Sequence, residues 1–378
     1  MKEQKLIIKP GQNYQNYVNI AKGIAISSVV LLHLHFYNES KLCEFIRCLL
    51  GNSWHVAVFF LISGFFIKTK ELVIPKSFLK KKFAKLYRLL LYYYIPATLL
   101  HNALIDIGWY STIIDYHGKS LYYFSFTDII NHLFQCFVFA GREPILGAMW
   151  FVYVLLLAFI GYSFFSWLLS RCIHDNVKYE IVRTIFLMII CMISCTFTER
   201  LDFMIPRCSN TITAIWLIHI GYLLKNRFNI EFNNCYLAIS SLFIVIHCAI
   251  NIGGISLNAN VYRDVVMLTI STVSALYVIC YISQKIENTF VGNFLDWCGK
   301  NSFHIMALHL IGFKLGIEVL NSLGANIIIN TQMPELGHRI DYVIILFFFG
   351  ILLPLLFISL LRFFKNIIIR HKEKIMRS

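Results

Sequence analysis

The chain has 378 residues, of which 58% are hydrophobic, 16% aromatic and only 14% charged, whereas soluble globular proteins carry about 25% charged residues. Together with a mean hydropathy of +0.67, this composition excludes a soluble protein and predicts a polytopic, all-α membrane protein. The formal net charge of +14 does not predict nucleic-acid binding, because membrane proteins collect lysine and arginine in their cytoplasmic loops.

Apolar segments long enough to cross a bilayer recur along the chain, since about 20 helical residues span the ~30 Å hydrocarbon core. Ten predicted transmembrane helices cover residues 18–37, 49–67, 86–106, 149–170, 181–198, 209–224, 235–252, 261–283, 302–320 and 341–363. One further apolar segment, residues 131–140, is too short to span, and we expect it to be re-entrant or interfacial.

The distribution of basic residues predicts the orientation of these helices. With the N-terminus inside, the cytoplasmic segments hold 24 of the 34 Lys and Arg residues and the external loops hold 8. An additional crossing at residues 131–140 would place the basic C-terminal tail outside, against the positive-inside rule. We therefore predict a bundle of about ten helices in a single membrane domain, residues 1–378, with short cytoplasmic tails at residues 1–17 and 364–378.

The longest predicted extramembrane segment, residues 107–148, lies outside and contains the aromatic stretch GWYSTIIDYHGKSLYYFSF. These aromatic residues could form an interfacial belt or stack against sugar rings. Arg142 and Glu143 come at the end of this segment, just before a helix led by Trp150. An adjacent Arg–Glu pair is usually part of a solvated loop, although it could also position a polar acceptor.

Lys22 and His33 lie eleven residues apart in the first predicted span. Eleven residues are about three helical turns, so both would project from one face, ~16 Å apart along the axis, whereas His35 points elsewhere. Ionisable groups within a span mark function by default. The alternatives are a snorkelling lysine and an imidazole hydrogen-bonded to another helix. An imidazole, with an unperturbed pKa near ~6.5, can accept a proton from a hydroxyl at neutral pH.

The predicted cytoplasmic segment 68–88 is far more basic than orientation requires, with eight cations and one acid. Lys85 and Arg88 are three residues apart and share a helix face where the chain enters the membrane. This arrangement suits the phosphate groups of a cytoplasmic ligand. Attraction to anionic lipid explains it equally well.

Two other segments contain polar or small residues among apolar ones. Ser63 and Gly64 interrupt the aromatic run FFLISGFF, as small residues do where helices approach closely. His304 and His309 lie at the start of and inside the ninth predicted span, and we expect His304 to be structural. No metal site is predicted, because the eleven cysteines form neither a C-x-x-C pair nor a cluster with histidines.

Taken together, these segments resemble the acyltransferase-3 family of integral membrane acyltransferases, which O-acylate bacterial cell-surface glycans. KGIAISSVVLLH is similar to the first-helix pattern of the family and FFLISGFF to its second-helix signature. Lys85-x-x-Arg88, MWFVYVLL and GKNSFHIMALH resemble three later motifs in family order. The chain departs from the family at Lys22 and Lys85, where arginine is usual, and at Leu32, where many members have glycine.

The resemblance implies a multi-pass enzyme of the bacterial inner membrane, surrounded by membrane lipids. Its donor would be acyl-CoA, usually acetyl-CoA, taken from the cytoplasm as a substrate, with no permanently bound cofactor. Its acceptor would be a hydroxyl of a cell-surface polysaccharide or a lipid-linked glycan. His33 would be the catalytic base, and Lys22, Lys85 and Arg88 would bind the acyl donor. The residues expected along the substrate path are Ser63, Gly64, Trp150, His309, Arg142 and Glu143.

Three questions stay open at the level of sequence. The acyl group could pass directly between the substrates or through a covalent intermediate on His33 or His309. A transporter or flippase of a lipid-linked glycan is the alternative function, although it predicts symmetric broken helices in two halves, and no such repeat is seen. A polyprenyl-phosphate sugar transferase would call for acidic, metal-binding loops, whereas the predicted cytoplasmic loops here are strongly basic.

Overall fold

Helices make up nearly all of the regular structure in a computed structural model of the chain. The structure describes residues 12–36, 45–113, 121–137, 143–251, 254–329, 333–337 and 339–375. The described residues fall into two compact units, each assembled from separate parts of the chain. The first unit takes its residues from Met1–Val29, Glu39–Tyr92 and Met149–Lys300, and the second from Val30–Asn38, Tyr93–Ala148 and Asn301–Ser378.

The helices follow the apolar pattern of the sequence. The first half of the chain forms α1 (Gln12–Leu32), α2 (His55–Phe65), α3 (Thr69–Val73), α4 (Pro75–Leu99), α5 (His101–Asp106), α6 (Phe126–Phe137), α7 (Trp150–Cys172) and α8 (Asn176–Thr196). The second half forms α9 (Thr198–Met204), α10 (Cys208–Asn226), α11 (Cys235–Asn251), α12 (Val265–Ile286), α13 (Phe290–Lys300), α14 (Ser302–Ser322) and α15 (Ile340–Ile375). A π-helical turn at Cys48–Asn52 and a 3₁₀ segment at Pro144–Met149 precede α2 and α7.

Among the described residues, six helices are long and apolar enough to cross a membrane. They are Phe45–Phe65, Pro144–Cys172, Asn176–Thr196, Val265–Ile286, Ser302–Ser322 and Ile340–Ile368. Asn16–Leu32 and Cys235–Asn251 are shorter apolar helices. The prediction of an all-α, multi-pass membrane protein is therefore confirmed. Ten crossings, with both termini cytoplasmic, stay a prediction.

The sequence located the helices better than it located their ends. Each of the ten predicted spans coincides with helical residues, but the span at residues 86–106 is divided between α4 and α5, on either side of Leu100. The short apolar segment at residues 131–140 overlaps α6, a helix of 12 residues and so only ~18 Å long. The helix α13 was not predicted, because its 11 residues are too few to give an apolar window of transmembrane length.

Helices in the first unit approach one another at glycines. A Cβ atom on Gly64 of α2 would lie 1.9 Å from the carbonyl oxygen of Ile218 in α10, and a Cβ on Gly221 would lie 2.0 Å from the carbonyl oxygen of Leu61. The helices α1 and α13 touch in the same way, since a Cβ on Gly23 would lie 2.0 Å from the oxygen of Leu295. Only glycine allows backbones this close.

The second unit contains the only regular strands in the described part of the chain. β1 (His35–Phe36) pairs in parallel with β2 (Glu335–Gly337), with His35 opposite Glu335. The sequence analysis predicted helix through residue 37, but the helix ends at Leu32 and the chain then extends to form β1. Later in the same unit, Arg362 of α15 donates from Nη2 to the Asn301 Oδ1 at 2.8 Å and so fixes the residue that precedes α14.

Candidate active site

The second unit brings together two imidazoles that are 276 residues apart in sequence. His33 lies in the turn directly after α1, where the Leu34 N–H bonds to the Leu31 oxygen at 3.1 Å. His309 lies on α14 and is fully buried. The two ring centroids are 5.0 Å apart, and the ring planes are inclined at 68°. His33 is half-buried, so the pair runs from a partly accessible imidazole to an enclosed one.

Hydrogen bonds to the backbone fix the tautomer of His309. Its Nδ1 lies 3.0 Å from the Ile305 oxygen and 2.9 Å from the Met306 oxygen. Carbonyl oxygens only accept, so Nδ1 must carry a proton and donate it. In the neutral ring Nε2 then holds the lone pair, and this buried atom has no hydrogen-bond partner among the described residues. The buried Nε2 of His309, which can accept a proton, therefore belongs to the ring that contacts His33.

His304 has a different environment in the same unit. Its Nδ1 lies 2.6 Å from the hydroxyl of Tyr93, near the start of α14. This bond ties α14 to the α4 residue Tyr93. This geometry agrees with the structural role expected for His304. Of the two histidines in the ninth predicted span, His309 is the one that contacts His33.

Three lysines of the first unit lie close to one another. Lys22 is half-buried, and its Nζ lies 5.4 Å from the centre of the Phe66 ring. Lys82 of α4 is also half-buried, and its Nζ lies 4.4 Å from the centre of the Phe159 ring. Lys22, Lys82 and Lys85 are close enough to repel one another electrostatically. This basic cluster, Lys22, Lys82 and Lys85, can attract an anion.

The pKa of Lys82 shows the effect of this environment. Burial, followed by repulsion from Lys85, lowers the pKa of Lys82 to about 8, while Glu71 opposes the shift and Lys22 adds to it. Lys82 is not among the donor-binding residues predicted from the sequence. The spacing Lys82-x-x-Lys85-x-x-Arg88 in KKKFAKLYR would have signalled it, because residues three apart share a helix face.

Lys85 and Arg88 are both exposed on α4. Arg88 donates from Nε to the Ala84 oxygen at 2.8 Å, so its side chain folds along its own helix. Lys85 interacts with Lys22 and Lys82. The structure therefore brings two of the three predicted donor-binding cations together and shows a local backbone contact for the third.

Three of the residues predicted along the substrate path lie in the first unit. Ser63 donates to the Phe59 oxygen at 2.7 Å within α2, and Gly64 makes the close contact with α10 described above. Trp150 begins α7, is half-buried and faces the Arg207 guanidinium, whose central carbon lies 5.6 Å from the ring. The Ser63 bond is internal to α2, whereas the Gly64 contact is one of packing between helices.

Of the neighbours Arg142 and Glu143, the structure describes only Glu143. Arg142 lies outside the residues that the structure describes. Glu143 is only 3% exposed, so the interpretation of this carboxylate as part of a solvated loop is wrong. The physical reason is compensation: His101 and Tyr110 both bond to its Oε2, at 3.1 and 3.2 Å, and so offset the loss of water.

A buried arginine in α8 was missed by sequence analysis. Arg183 is fully buried and donates to Glu180 Oε2 at 2.5 Å, while Arg227 donates to Glu180 Oε1 at 2.7 Å. Three tyrosine rings surround its guanidinium, those of Tyr162, Tyr179 and Tyr222. The signal was available, since Arg183 falls within the predicted span 181–198 and ionisable residues there mark partners or function. Its contacts join α7, α8 and α10.

Within the described ranges, no group of three or more His, Cys, Asp or Glu side chains is placed to hold a metal ion. A chain that carries both an imidazole pair and a cationic cluster has groups suited to transfer from an anionic donor, with proton removal from the acceptor.

Comparison with protein families agrees with this chemistry. The acyltransferase-3 model, described as an acyltransferase domain, matches residues 15–359. Comparison with curated proteins and with solved structures gave no significant match. The matched range includes His33, His309 and the basic cluster, and it spans most of the 378 residues. This chain belongs to the acyltransferase-3 family and is a membrane acyltransferase.

Proposed function

We propose that the protein is an O-acetyltransferase of the bacterial inner membrane. It moves an acetyl group from cytoplasmic acetyl-CoA to a hydroxyl of a cell-surface polysaccharide or a lipid-linked glycan. The observation that carries this proposal is the contact between His33 and His309. A partly accessible imidazole next to a buried one supplies the base that a hydroxyl acceptor requires.

In this proposal, His33 takes the proton of the acceptor hydroxyl as its oxygen attacks the thioester carbonyl. The C–S bond then breaks, the acetyl group is left as an ester, and the thiolate of CoA takes up a proton. His309 orients His33 from the buried side. Its Nε2 lone pair can receive a hydrogen bond that holds the neighbouring ring in a productive orientation.

The basic cluster binds the donor. Acetyl-CoA carries several phosphate charges, and Lys22, Lys82 and Lys85 form a cationic surface partly removed from water, where Coulomb attraction is stronger than in bulk solvent. Arg88 lies one turn further along α4 and adds a charge at the edge of this surface. At Lys22 and Lys85, where arginine is usual in the family, lysine keeps the positive charge but cannot make the bidentate hydrogen bonds of arginine.

The transporter or flippase is not favoured, because the family that matches this chain is one of acyltransferases. The deciding experiment compares surface glycan from cells with and without the gene and measures ester-linked acetyl by mass spectrometry. We expect the deletion to remove the acetyl esters and to leave the glycan backbone intact. Loss of the whole glycan would support the flippase, and an unchanged acetyl content would contradict both the donor and the acceptor assigned here.

Donor binding by the basic cluster is expected to weaken above neutral pH. Because the pKa of Lys82 is lowered to about 8, this ammonium is charged at pH 7 and largely neutral at pH 9, while the phosphates of acetyl-CoA stay ionised. The KM for acetyl-CoA should therefore rise severalfold between pH 7 and pH 9, measured as initial rates in lipid nanodiscs. Bound phosphate favours the charged lysine and so shifts the rise to somewhat higher pH.

Substitution of Lys82 isolates this effect. In Lys82→Met the KM should be raised already at pH 7, and its further rise to pH 9 should be smaller. Lys178→Met is the matched control, because Lys178 is exposed at the start of α8 and should leave the pH profile unchanged. A Lys82→Met protein with the wild-type pH profile would remove Lys82 from the donor site.

A further inference from the structure

The second unit holds a buried ion pair that the acyl-transfer chemistry above does not use. His101 of α5 and Glu143 are 2% and 3% exposed. The His101 Nδ1 and the Glu143 Oε2 are 3.1 Å apart. A buried charged pair costs desolvation, and its geometry then needs further hydrogen bonds to be stable. The partners of each polar atom therefore show what the pair can still bind.

Both ring nitrogens of His101 have hydrogen-bond partners within the protein. Its Nε2 lies 3.2 Å from the Tyr122 carbonyl oxygen, which can only accept. Its Nδ1 faces the Glu143 Oε2, which also accepts from the Tyr110 hydroxyl at 3.2 Å. Both ring nitrogens therefore lie within hydrogen-bond distance of an oxygen of the protein, so neither is left for a ligand. Tyr110 is fixed in turn, because its hydroxyl accepts from the Ile145 N–H at 3.2 Å.

One of the two oxygens of the Glu143 carboxylate does not take part in these hydrogen bonds. The Glu143 Oε1 is buried and has no hydrogen-bond partner among the described residues. A buried carboxylate oxygen without a donor is costly, and such atoms in native proteins call for an explanation. A hydroxyl group of a ligand would satisfy it with a short, charge-assisted hydrogen bond. The pair is thus a preorganised acceptor for one hydroxyl.

Aromatic rings lie next to this acceptor. The Phe124 ring stacks on the His101 ring with centroids 3.6 Å apart, and the Tyr122 ring meets Phe124 at 5.5 Å. Tyr122 is 54% exposed, so part of this residue is open to a ligand next to Phe124. A carboxylate for hydroxyl groups together with an aromatic face for C–H groups is the chemistry that recognises a sugar.

Contacts within the same unit connect this carboxylate to α14. Lys314 and Glu318 follow His309 on α14 by five and nine residues, or ~7.5 and ~13.5 Å along the axis. Lys314 donates to the Trp109 oxygen at 3.1 Å, and the Trp109 indole donates to Glu318 at 2.5 Å. Tyr110, the next residue, bonds to Glu143. In the predicted topology this end of α14 is the external one, where a glycan would arrive.

We propose that Glu143, held by His101 and Tyr110, binds a hydroxyl of the sugar acceptor through Oε1, with the ring of Tyr122 against the apolar face of the sugar. This assignment rests on the proposed function and specifies the acceptor side of it. The acceptor is accordingly a polyhydroxylated sugar unit, and Glu143 binds and orients it.

The test measures sugar binding separately from acetyl transfer. The full chain in lipid nanodiscs is titrated with oligosaccharides released by mild hydrolysis from de-O-acetylated surface polysaccharide of the producing cells. Affinity is read by saturation-transfer NMR. We expect Glu143→Gln and Tyr122→Ala each to weaken binding at least tenfold without changing the affinity for acetyl-CoA. Asp128→Asn is the control, since this carboxylate only caps α6 through Ser125 and should bind as the wild type does.

Each result decides the proposal. Wild-type affinity in Glu143→Gln, or no binding by the wild-type protein, overturns it, and wild-type affinity in Tyr122→Ala alone removes the stacking contact. If Glu143→Gln fails to fold, Tyr110→Phe decides, because it removes the hydroxyl that holds the Glu143 carboxylate and keeps the ring; wild-type affinity in that variant overturns the proposal. The proposed function fails separately, if the wild-type protein binds the oligosaccharides but does not acetylate them from acetyl-CoA.

Discussion

Replacement of His33 by alanine is expected to lower the rate of acetyl transfer by roughly 10²- to 10⁴-fold, the usual contribution of a positioned general base. The side chain is half-buried in the turn after α1, so its removal leaves no large cavity and the protein should fold. The measurement is ester-linked acetyl on the surface glycan, by mass spectrometry, together with initial rates in nanodiscs. The KM for acetyl-CoA should stay within about twofold of the wild-type value.

Two further variants locate the effect at the imidazole pair. His309→Gln removes the buried Nε2 beside His33, and we expect a smaller loss, about tenfold in kcat with an unchanged KM for the donor. His247→Ala is the matched control, since His247 is exposed on α11 and should leave the rate unchanged. A folded His33→Ala protein that acetylates at the wild-type rate would exclude His33 as the base.

The largest effect on stability is expected at the contact between α2 and α10. In Gly64→Ala the new methyl carbon would lie 1.9 Å from the carbonyl oxygen of Ile218, a backbone atom that cannot turn away. The two helices must separate, and overpacking of this kind typically costs 1–3 kcal/mol and occasionally more. We expect a clearly lower Tm in detergent and a reduced yield of folded protein, measured by fluorescence-detected size-exclusion chromatography after heating.

The reciprocal glycine and a third glycine provide the comparisons. Gly221→Ala meets the Leu61 oxygen at 2.0 Å, so it should be about as destabilising, and the double variant should lose less than the sum because both act at one crossing. Gly161→Ala meets only the Cδ1 of Ile215 at 2.9 Å, the end of a flexible side chain, and should cost far less. Equal Tm values for Gly64→Ala and Gly161→Ala would contradict this interpretation of the contact.

Much of the helical structure could be predicted from the sequence, because hydropathy and charge act locally along the chain. Each predicted span coincides with helical residues, and the small residues of FFLISGFF mark a real helix contact. The predicted helix ends that were wrong lie where a turn interrupts the helix. The π-helical turn before α2 contains Gly51 at φ 144°, and α1 ends at Leu32, five residues before its predicted end. Turn geometry is invisible to an apolar window.

The candidate site was predicted in part, as single residues without their partners. Lys22, Lys85 and His33 stood out because charged or titratable groups are costly in a span. Lys82 was hidden in a run of lysines, and Arg183 lies close to the start of its predicted span, residues 181–198. The sequence could not tell that Glu143 is buried, since its exposure depends on His101 and Tyr110, 42 and 33 residues away.

By itself, the sequence determined the class of protein, the positions of its apolar helices and the residues of its family motifs, because each is a property of a short segment. Only the tertiary structure decided which of those residues meet. It placed His309 against His33, gathered Lys82 with Lys22 and Lys85, and buried Glu143 with one oxygen that has no hydrogen-bond partner among the described residues. These contacts join distant segments, and their energies depend on how closely the helices pack, which no local pattern encodes.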